Sequence, residues 1–161
     1  MKNRWENDPP VRFRGTRLFF CAGSAPGAEL AEAWSDKFGV ELCEGYGCDE
    51  LSGVVAVNLP GIESADPRQN ASRPGTVGRA IPGVAVRIVH PETGALLPPG
   101  QEGLLQARGP GRMLGYDGEP ERSSAAFREG WFVTGDRALL DKDAFLLIAP
   151  PPAGGILRRP A

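Results

Sequence analysis

The sequence predicts an α/β beginning followed by a mainly β remainder: the βαβ portion of a parallel sheet, then a small distorted antiparallel β-barrel subdomain. Three observations lead there. An apolar run, an amphipathic helical stretch and a second apolar run follow one another between residues 18 and 43, the order of a βαβ unit. Beyond Pro60 the strands become short and are separated by turn residues, with no helical signal before about Glu119. The 22 glycines and 16 prolines, together 38 of 161 residues, are about twice average usage, so the backbone must turn often. A chain of this length still buries roughly 70% of its unfolded surface, enough for a packed core.

Residues 1–17 are polar and arginine-rich and contain Pro9-Pro10, which predicts a poorly ordered leader. Residues 18–22 (Leu-Phe-Phe-Cys-Ala) are continuously apolar, as in a strand buried on both faces, and run into Gly23-Ser24-Ala25-Pro26-Gly27. Ala28, Leu30, Ala31, Trp34 and Phe38 then recur at helical spacing, with Glu29 early, Lys37 late and Gly39 as the stop. Residues 40–43 form the next strand, parallel to the first. The loops at the carboxyl ends of these strands, 23–27 and 44–50, should lie side by side, where open parallel sheets bind ligands.

Residues 18–60 are thus the βαβ part, and 61–75, polar with Pro67 and Pro74, a loop. Residues 76–148 form the β subdomain, with strands at 84–89, 102–108, 131–133, 137–140 and 145–148 and a helix near 119–127. Residues 149–161, with three consecutive prolines, read as an unstructured tail.

Eighteen basic against 20 acidic residues give a net charge of −2, which provides no basic field for a nucleic acid. Cys21, Cys43 and Cys48 with the single His90 lack the spacing of a zinc set and read as reduced thiols, two of them buried. No apolar run is long enough to span a bilayer and the amino terminus lacks a signal-peptide core. The expectation is a cytoplasmic chain without a transmembrane segment.

Two motifs carry candidate chemistry. Tyr46-Gly47-Cys48-Asp49-Glu50 sets a ring, a glycine and two carboxylates after a buried strand. The ring can stack on a base, and a carboxylate supplies the hard oxygen that Mg²⁺ takes alongside phosphates. The bland reading is a solvated acidic turn. Trp131-Phe132-Val133-Thr134-Gly135-Asp136 is an aromatic strand ending in a carboxylate able to accept from two adjacent sugar hydroxyls. Here the bland reading is a hairpin turn in which Asp136 bonds its own backbone. The stretch Gly109-Pro110-Gly111-Arg112-Met113-Leu114-Gly115-Tyr116 is not a phosphate-loop pattern and reads as a structural turn. Ser24 lacks the flanking glycines of a hydrolase nucleophile, and His90 lies in a turn.

Taken in order, these pieces resemble the adenylate-forming (AMP-binding) superfamily, in particular acyl-CoA synthetases and long-chain fatty acid ligases. The matching segments are Gly23-Ser24-Ala25-Pro26, Glu44-Gly45-Tyr46-Gly47-Cys48-Asp49-Glu50, Pro74-Gly75-Thr76-Val77-Gly78-Arg79-Ala80-Ile81-Pro82-Gly83, Glu102-Gly103-Leu104, Gly109-Pro110 with Met113-Leu114-Gly115-Tyr116, and Glu129-Gly130-Trp131-Phe132-Val133-Thr134-Gly135-Asp136. The resemblance implies a truncated adenylate-forming fold, ending near a hinge at 141–145, with ATP or AMP and Mg²⁺ as cofactors. It implies activation of a carboxylic acid, a fatty acid by the nearest wording, as acyl-AMP. Transfer would follow to a thiol such as CoA or carrier-protein phosphopantetheine.

By the same resemblance Gly23, Ser24, Ala25 and Pro26 line the adenine and acyl pocket within the corner that Glu44, Gly45 and Gly47 help build. Tyr46 stacks on adenine, Glu50 holds Mg²⁺ and Asp136 grips the ribose, so Tyr46 and Asp136 should converge on one crevice. Asp49 stands where the family has Thr, and Ala144 where it has Gly. The only lysines are Lys2, Lys37 and Lys142, none placed as the family's catalytic lysine. The chain alone is therefore expected to be catalytically incompetent, with a complementing chain as a partner that would complete it. A non-catalytic binding or interaction module is the alternative.

Overall fold

The computed structural model describes residues 15–16, 18–23, 28–59 and 70–150. Most of the expected leader and of the 61–75 loop, Ser24, Ala25 and Pro26, and residues 151–161 of the expected tail lie outside the described residues.

Strand β1 (Phe19–Cys21), helix α1 (Ala28–Phe38) and strand β2 (Leu42–Cys48) follow in the expected order. β1 and β2 pair in parallel, Phe19 opposite Leu42 and Cys21 opposite Glu44. Helix α1 packs on β1 through aromatic contacts, with Trp34 5.2 Å from Phe19 and 4.4 Å from Phe38 between ring centroids. It stops where expected: Gly39 adopts φ 68° and its N–H donates to Ser35 O at 2.8 Å.

Two expectations about this region are corrected. β1 is not buried on both faces, since Leu18 and Phe20 are 44% and 38% exposed and β2 is its only strand neighbour among the described residues. Nor are residues 44–50 a loop. β2 continues to Cys48, exchanging its parallel partner for the antiparallel β3 (Gly53–Val57), and Asp49–Leu51 form a single 3₁₀ turn between them. β4 (Arg79–Ala80) then pairs with β3, completing a four-stranded sheet of order β1-β2-β3-β4.

The second sheet contains β5 (Ala85–Val89), β6 (Gly103–Arg108), β7 (Phe127–Arg128), β8 (Trp131–Leu140) and β9 (Leu146–Ile148), all antiparallel. The expected helix near 119–127 is the shorter α2 (Pro120–Ala125). Residues 131–133 and 137–140, expected as separate strands, are one continuous β8. Among the described residues these ladders form an open sheet rather than a barrel closed within 76–148. The link to the first sheet is made just before β4, where Val77 N–H donates to Leu146 O at 2.9 Å and Leu146 N–H to Gly78 O at 2.8 Å.

The sheets share their core. Cys48, Leu51 and Val55 of the first pack with Ala107, Ala126 and Phe132, while Ala56 packs with Ile88, Leu105, Ala138 and Leu146. Val55 and Ala56, neighbours on β3 with opposite side-chain directions, are both fully buried. Each large aliphatic or aromatic side chain so enclosed contributes about 1.5–3 kcal/mol. Among the described residues no helix is long and apolar enough to cross a membrane.

Candidate functional site

The parallel register sets the carboxyl end of β1, Cys21, opposite Glu44 within β2, which runs on past it to Cys48. A hollow of about 190 Å³ opens there, lined by Phe20, Ala22, Tyr46, Gly47, Asp49 and Val54 among others. Two glycines of β2 leave room for the elements that pack against them. A Cβ on Gly45 would lie 2.0 Å from the Phe20 ring, and one on Gly47 would lie 1.9 Å from the Gly53 carbonyl oxygen. Gly47 therefore serves first to let β3 approach β2. Glu44, half-buried on β2, has its carboxyl pushed above the usual range by burial. Gly23, at φ 97°, follows Ala22 at the mouth.

Tyr46 and Asp136, 90 residues apart, meet directly: the Tyr46 hydroxyl donates to Asp136 Oδ2. Asp136 reaches it because β8 bulges. Gln106 pairs with Val133 and Leu104 with Arg137, so Thr134, Gly135 and Asp136 all face the single Leu105. Gly135 takes φ 82° at the bulge. Buried Thr134 fastens it, donating through Oγ1 to Leu105 O at 3.0 Å and accepting from Asp136 N–H at 3.1 Å. Asp136 thus lies within a strand rather than at a strand end, and its carboxylate bonds a side chain from the other sheet. Burial, then the Asp136 charge and hydrogen bond, push the Tyr46 phenol well above its ordinary value, with the Thr134 hydroxyl acting the other way. The phenol stays a proton donor at neutral pH, which fixes the ring's orientation. An ionised carboxylate offers about four lone-pair sites, so one bond from Tyr46 leaves Asp136 capacity for further donors.

Asp49 is exposed and lines the hollow, whereas Glu50 is 7% exposed and turned toward residues 113–116. The Tyr116 hydroxyl donates to Glu50 Oε1 at 3.1 Å, and Met113 N–H to Glu50 O at 2.8 Å. Among the described residues no three His, Cys, Asp or Glu side chains converge as a metal cage. Of the two adjacent carboxylates, Asp49 faces the hollow, while that of Glu50 is engaged by Tyr116 outside its lining.

Other chemistry is not favoured. Cys43 and Cys48 are buried as expected, and burial together with Glu41 pushes the Cys43 thiol up, away from the nucleophilic thiolate. His90 Nδ1 accepts the N–H groups of Glu92 and Thr93, each at 3.3 Å, and so serves its own turn. The sequence reading missed Tyr116 and Thr134 as partners of candidate groups. Both stand within motifs already noted, Tyr116 in a structural turn and in a family-like segment, but neither motif assigned them a role at the site.

The sequence profile of the AMP-binding enzyme family matches residues 3–117. The chain is 37% identical over 137 residues to 4-coumarate–CoA ligase-like 9 of Arabidopsis thaliana, covering 84% of this chain and 23% of that protein. It is 33% identical over 121 residues to a long-chain-fatty-acid–CoA ligase of Bacillus subtilis, covering 75% and 20%. The crystal structure of apo MatB from Rhodopseudomonas palustris superposes with a TM-score of 0.70 at 34% identity, over 82% of this chain and 25% of that one. The anthranilate CoA ligase AuaEII in complex with anthranoyl-AMP gives 0.70 at 30% identity, over 82% and 24%. The chain thus spans about a quarter of the length of the proteins it matches.

Proposed function

This chain belongs to the AMP-binding enzyme family, and from that premise we propose that its 161 residues carry the adenosine-facing part of an AMP-dependent acid–thiol ligase. In the complete reaction a carboxylate oxygen attacks the α-phosphorus of ATP and pyrophosphate leaves, giving acyl-AMP. A thiol sulfur then attacks the acyl carbon, losing its proton, and AMP leaves from the thioester. The observation that carries the reading is the hydrogen bond joining Tyr46 to Asp136 across the two sheets.

In this reading Tyr46 offers its ring to adenine while its hydroxyl is retained by Asp136, and Asp136 uses its remaining acceptor capacity on the ribose hydroxyls. Gly23, Ser24, Ala25 and Pro26 border the adenine and acyl pocket, and Glu44, Gly45, Gly47 and Asp49 shape the corner beside it. Glu50 would give one oxygen ligand to Mg²⁺, which when bound neutralises phosphate charge. The acid is a fatty acid, a reading supported by the likeness to the Bacillus subtilis ligase. The acceptor is CoA or carrier-protein phosphopantetheine, and the setting is cytoplasmic. No lysine stands where the family resemblance places the catalytic one, so these 161 residues taken by themselves are proposed to bind nucleotide without turnover, and to turn over when a complementing chain is added.

Calorimetry with AMP tests the site. Loss of a charge-assisted hydrogen bond of about 1.5–3 kcal/mol should weaken binding of Asp136→Asn roughly 10- to 100-fold; unchanged affinity rejects the assignment. Pyrophosphate exchange with ATP and a fatty acid is expected to be absent for the chain alone. Exchange by the chain alone rejects incompetence, and exchange only after a partner is added supports complementation. AMP binding without exchange under any complementation leaves the non-catalytic binding module as the better description.

A further inference from the structure

The second sheet carries a cationic cluster that takes no part in the meeting of Tyr46 with Asp136. Arg128 pairs with Trp131 across β7 and β8. The β6–β8 register, Gln106 with Val133 and Ala107 with Phe132, sets Arg108 opposite the same tryptophan. Directly opposed residues share a face, so Arg108, Trp131 and Arg128 form one row on the face opposite to the buried Phe132. Arg87 stands in the next row, paired with Gln106. Two guanidinium groups converge on one ring, that of Arg87 at 4.4 Å and that of Arg108 at 4.7 Å from the Trp131 centroid.

The cluster is held in place and its charge is poorly compensated. Arg87 Nε–H donates to Gln106 Oε1 at 2.8 Å, and Gln106 is 1% exposed, so this guanidinium is anchored on a buried amide. Stacking occupies the flat face of a guanidinium and leaves its N–H edge free to donate, in the fork that fits phosphate oxygens. Arg73, Arg122 and Arg137 each have a carboxylate oxygen at 3.1 Å or less. In the cluster the single ion pair among the described residues joins Arg87 to Glu129 at 3.8 Å, and that carboxylate side chain is 84% exposed, where water and salt screen it. Arg108 and Arg128 are exposed and have no ion pair among the described residues. A chain of net charge −2 thus gathers three arginines beside one ring, and their mutual repulsion falls when an anion sits among them. We propose that Arg87, Arg108 and Arg128 around Trp131 form a second binding site, for a phosphate group. A soluble phosphate and a lipid headgroup present the same oxygens to it. Trp131 stands five residues before Asp136 on β8, and the site shares no residue with the adenosine corner.

The test follows the Trp131 indole N–H signal of the full chain by NMR, assigned with Trp131→Phe, during titration with inorganic phosphate. A saturating shift is expected for the wild type and equally for Asp136→Asn. Arg108→Gln and Arg128→Gln should each weaken the apparent affinity at least tenfold, the loss of a charge-assisted bond, with the Trp34 indole signal unmoved as the mark of an intact fold. Arg128→Gln changes an exposed side chain and decides the matter if Arg108→Gln fails to fold. Cosedimentation with phosphatidylcholine vesicles, with and without phosphatidic acid, separates the two sources. Capture by the phosphatidic acid vesicles alone, lost in the arginine variants, assigns a lipid headgroup; a saturating phosphate shift without such capture assigns a soluble ligand. Neither saturation nor capture in the wild type overturns the proposal, as does an undiminished response in a folded arginine variant. Loss of the response in Asp136→Asn also overturns it, because the anion then occupies the adenosine corner.

Discussion

At Asp49 the chain departs from the family pattern where charge matters most. The side chain is exposed, sits one residue before Glu50 and lines the hollow beside Tyr46. A second carboxylate in this place repels phosphate wherever no cation intervenes. At about 4 Å that repulsion is about 4 kcal/mol at an effective dielectric of 20 and about 1 kcal/mol in bulk water, and exposure places Asp49 toward the lower figure. Threonine removes the charge and supplies a hydroxyl donor. Asp49→Thr is therefore expected to bind ATP about fivefold more tightly at low ionic strength. The gain should shrink as salt screens the exposed charge. Equal or weaker binding in calorimetry rejects the argument.

The β2–β3 pair shows how close packing, rather than strand propensity, places glycine within a strand. Glycine weakens a strand interior, yet Gly45 and Gly47 both lie within β2, and a bulge separates Tyr46 from Gly47 in its pairing with β3. The reason is approach: the Gly53 carbonyl oxygen occupies the place of a Gly47 side chain. Since backbone rather than a flexible side-chain end would have to yield, Gly47→Ala should destabilise the fold by about 1–3 kcal/mol or more. A chemical-denaturation midpoint equal to wild type would count against this. The same feature explains what the sequence could reveal. Helix α1, its Gly39 stop and the parallel pairing of β1 with β2 were legible because period and stop signals are local. The extension of β2 through Cys48 was not, because its glycines resemble a turn until Phe20 and Gly53 are seen filling their space. Gly135 likewise suggested a strand end before Asp136, where the chain instead bulges within β8. Ordered motifs and family resemblance led to the expectation that Tyr46 and Asp136 share one crevice; the structure joins them by a direct hydrogen bond, with Tyr46 and not Asp136 among the residues lining the hollow. Tyr116 on Glu50 left no periodic trace across a separation of 66 positions.

The Tyr46–Asp136 contact joins β2 to β8, so its geometry depends on how the two sheets are held together, and Arg73 is central to that union. Its guanidinium bonds Asp141 and also Asp143, the latter at 2.7 Å, and stacks over the fully buried Phe145 at 4.2 Å from the ring centroid. Its backbone N–H donates to Asn58 Oδ1 at 3.0 Å, tying the β3 side to the turn between β8 and β9. That turn, in which Ala144 takes φ 63°, is also closed by Asp141 Oδ1, which accepts the N–H groups of Asp143 and Phe145 at 2.8 and 2.9 Å. The Arg73 hydrogen bond, with the nearby positive charges, holds the Asp143 carboxyl below the ordinary carboxylate range. A depressed folded-state pKa means that the unfolded chain takes up the proton first as pH falls. The stabilisation is fully present above the ordinary Asp range and is lost as pH drops through the lower folded value. Asp143→Asn should therefore be less stable than wild type at neutral pH, with the difference narrowing through the acid range and vanishing once wild-type Asp143 is protonated. Thermal melts across that range would show the two stability curves converging; curves that stay parallel would place the acid sensitivity elsewhere. Because the clamp sets the spacing of the sheets that carry Tyr46 and Asp136, AMP affinity should weaken with the same pH dependence in wild type and lose that component in the variant.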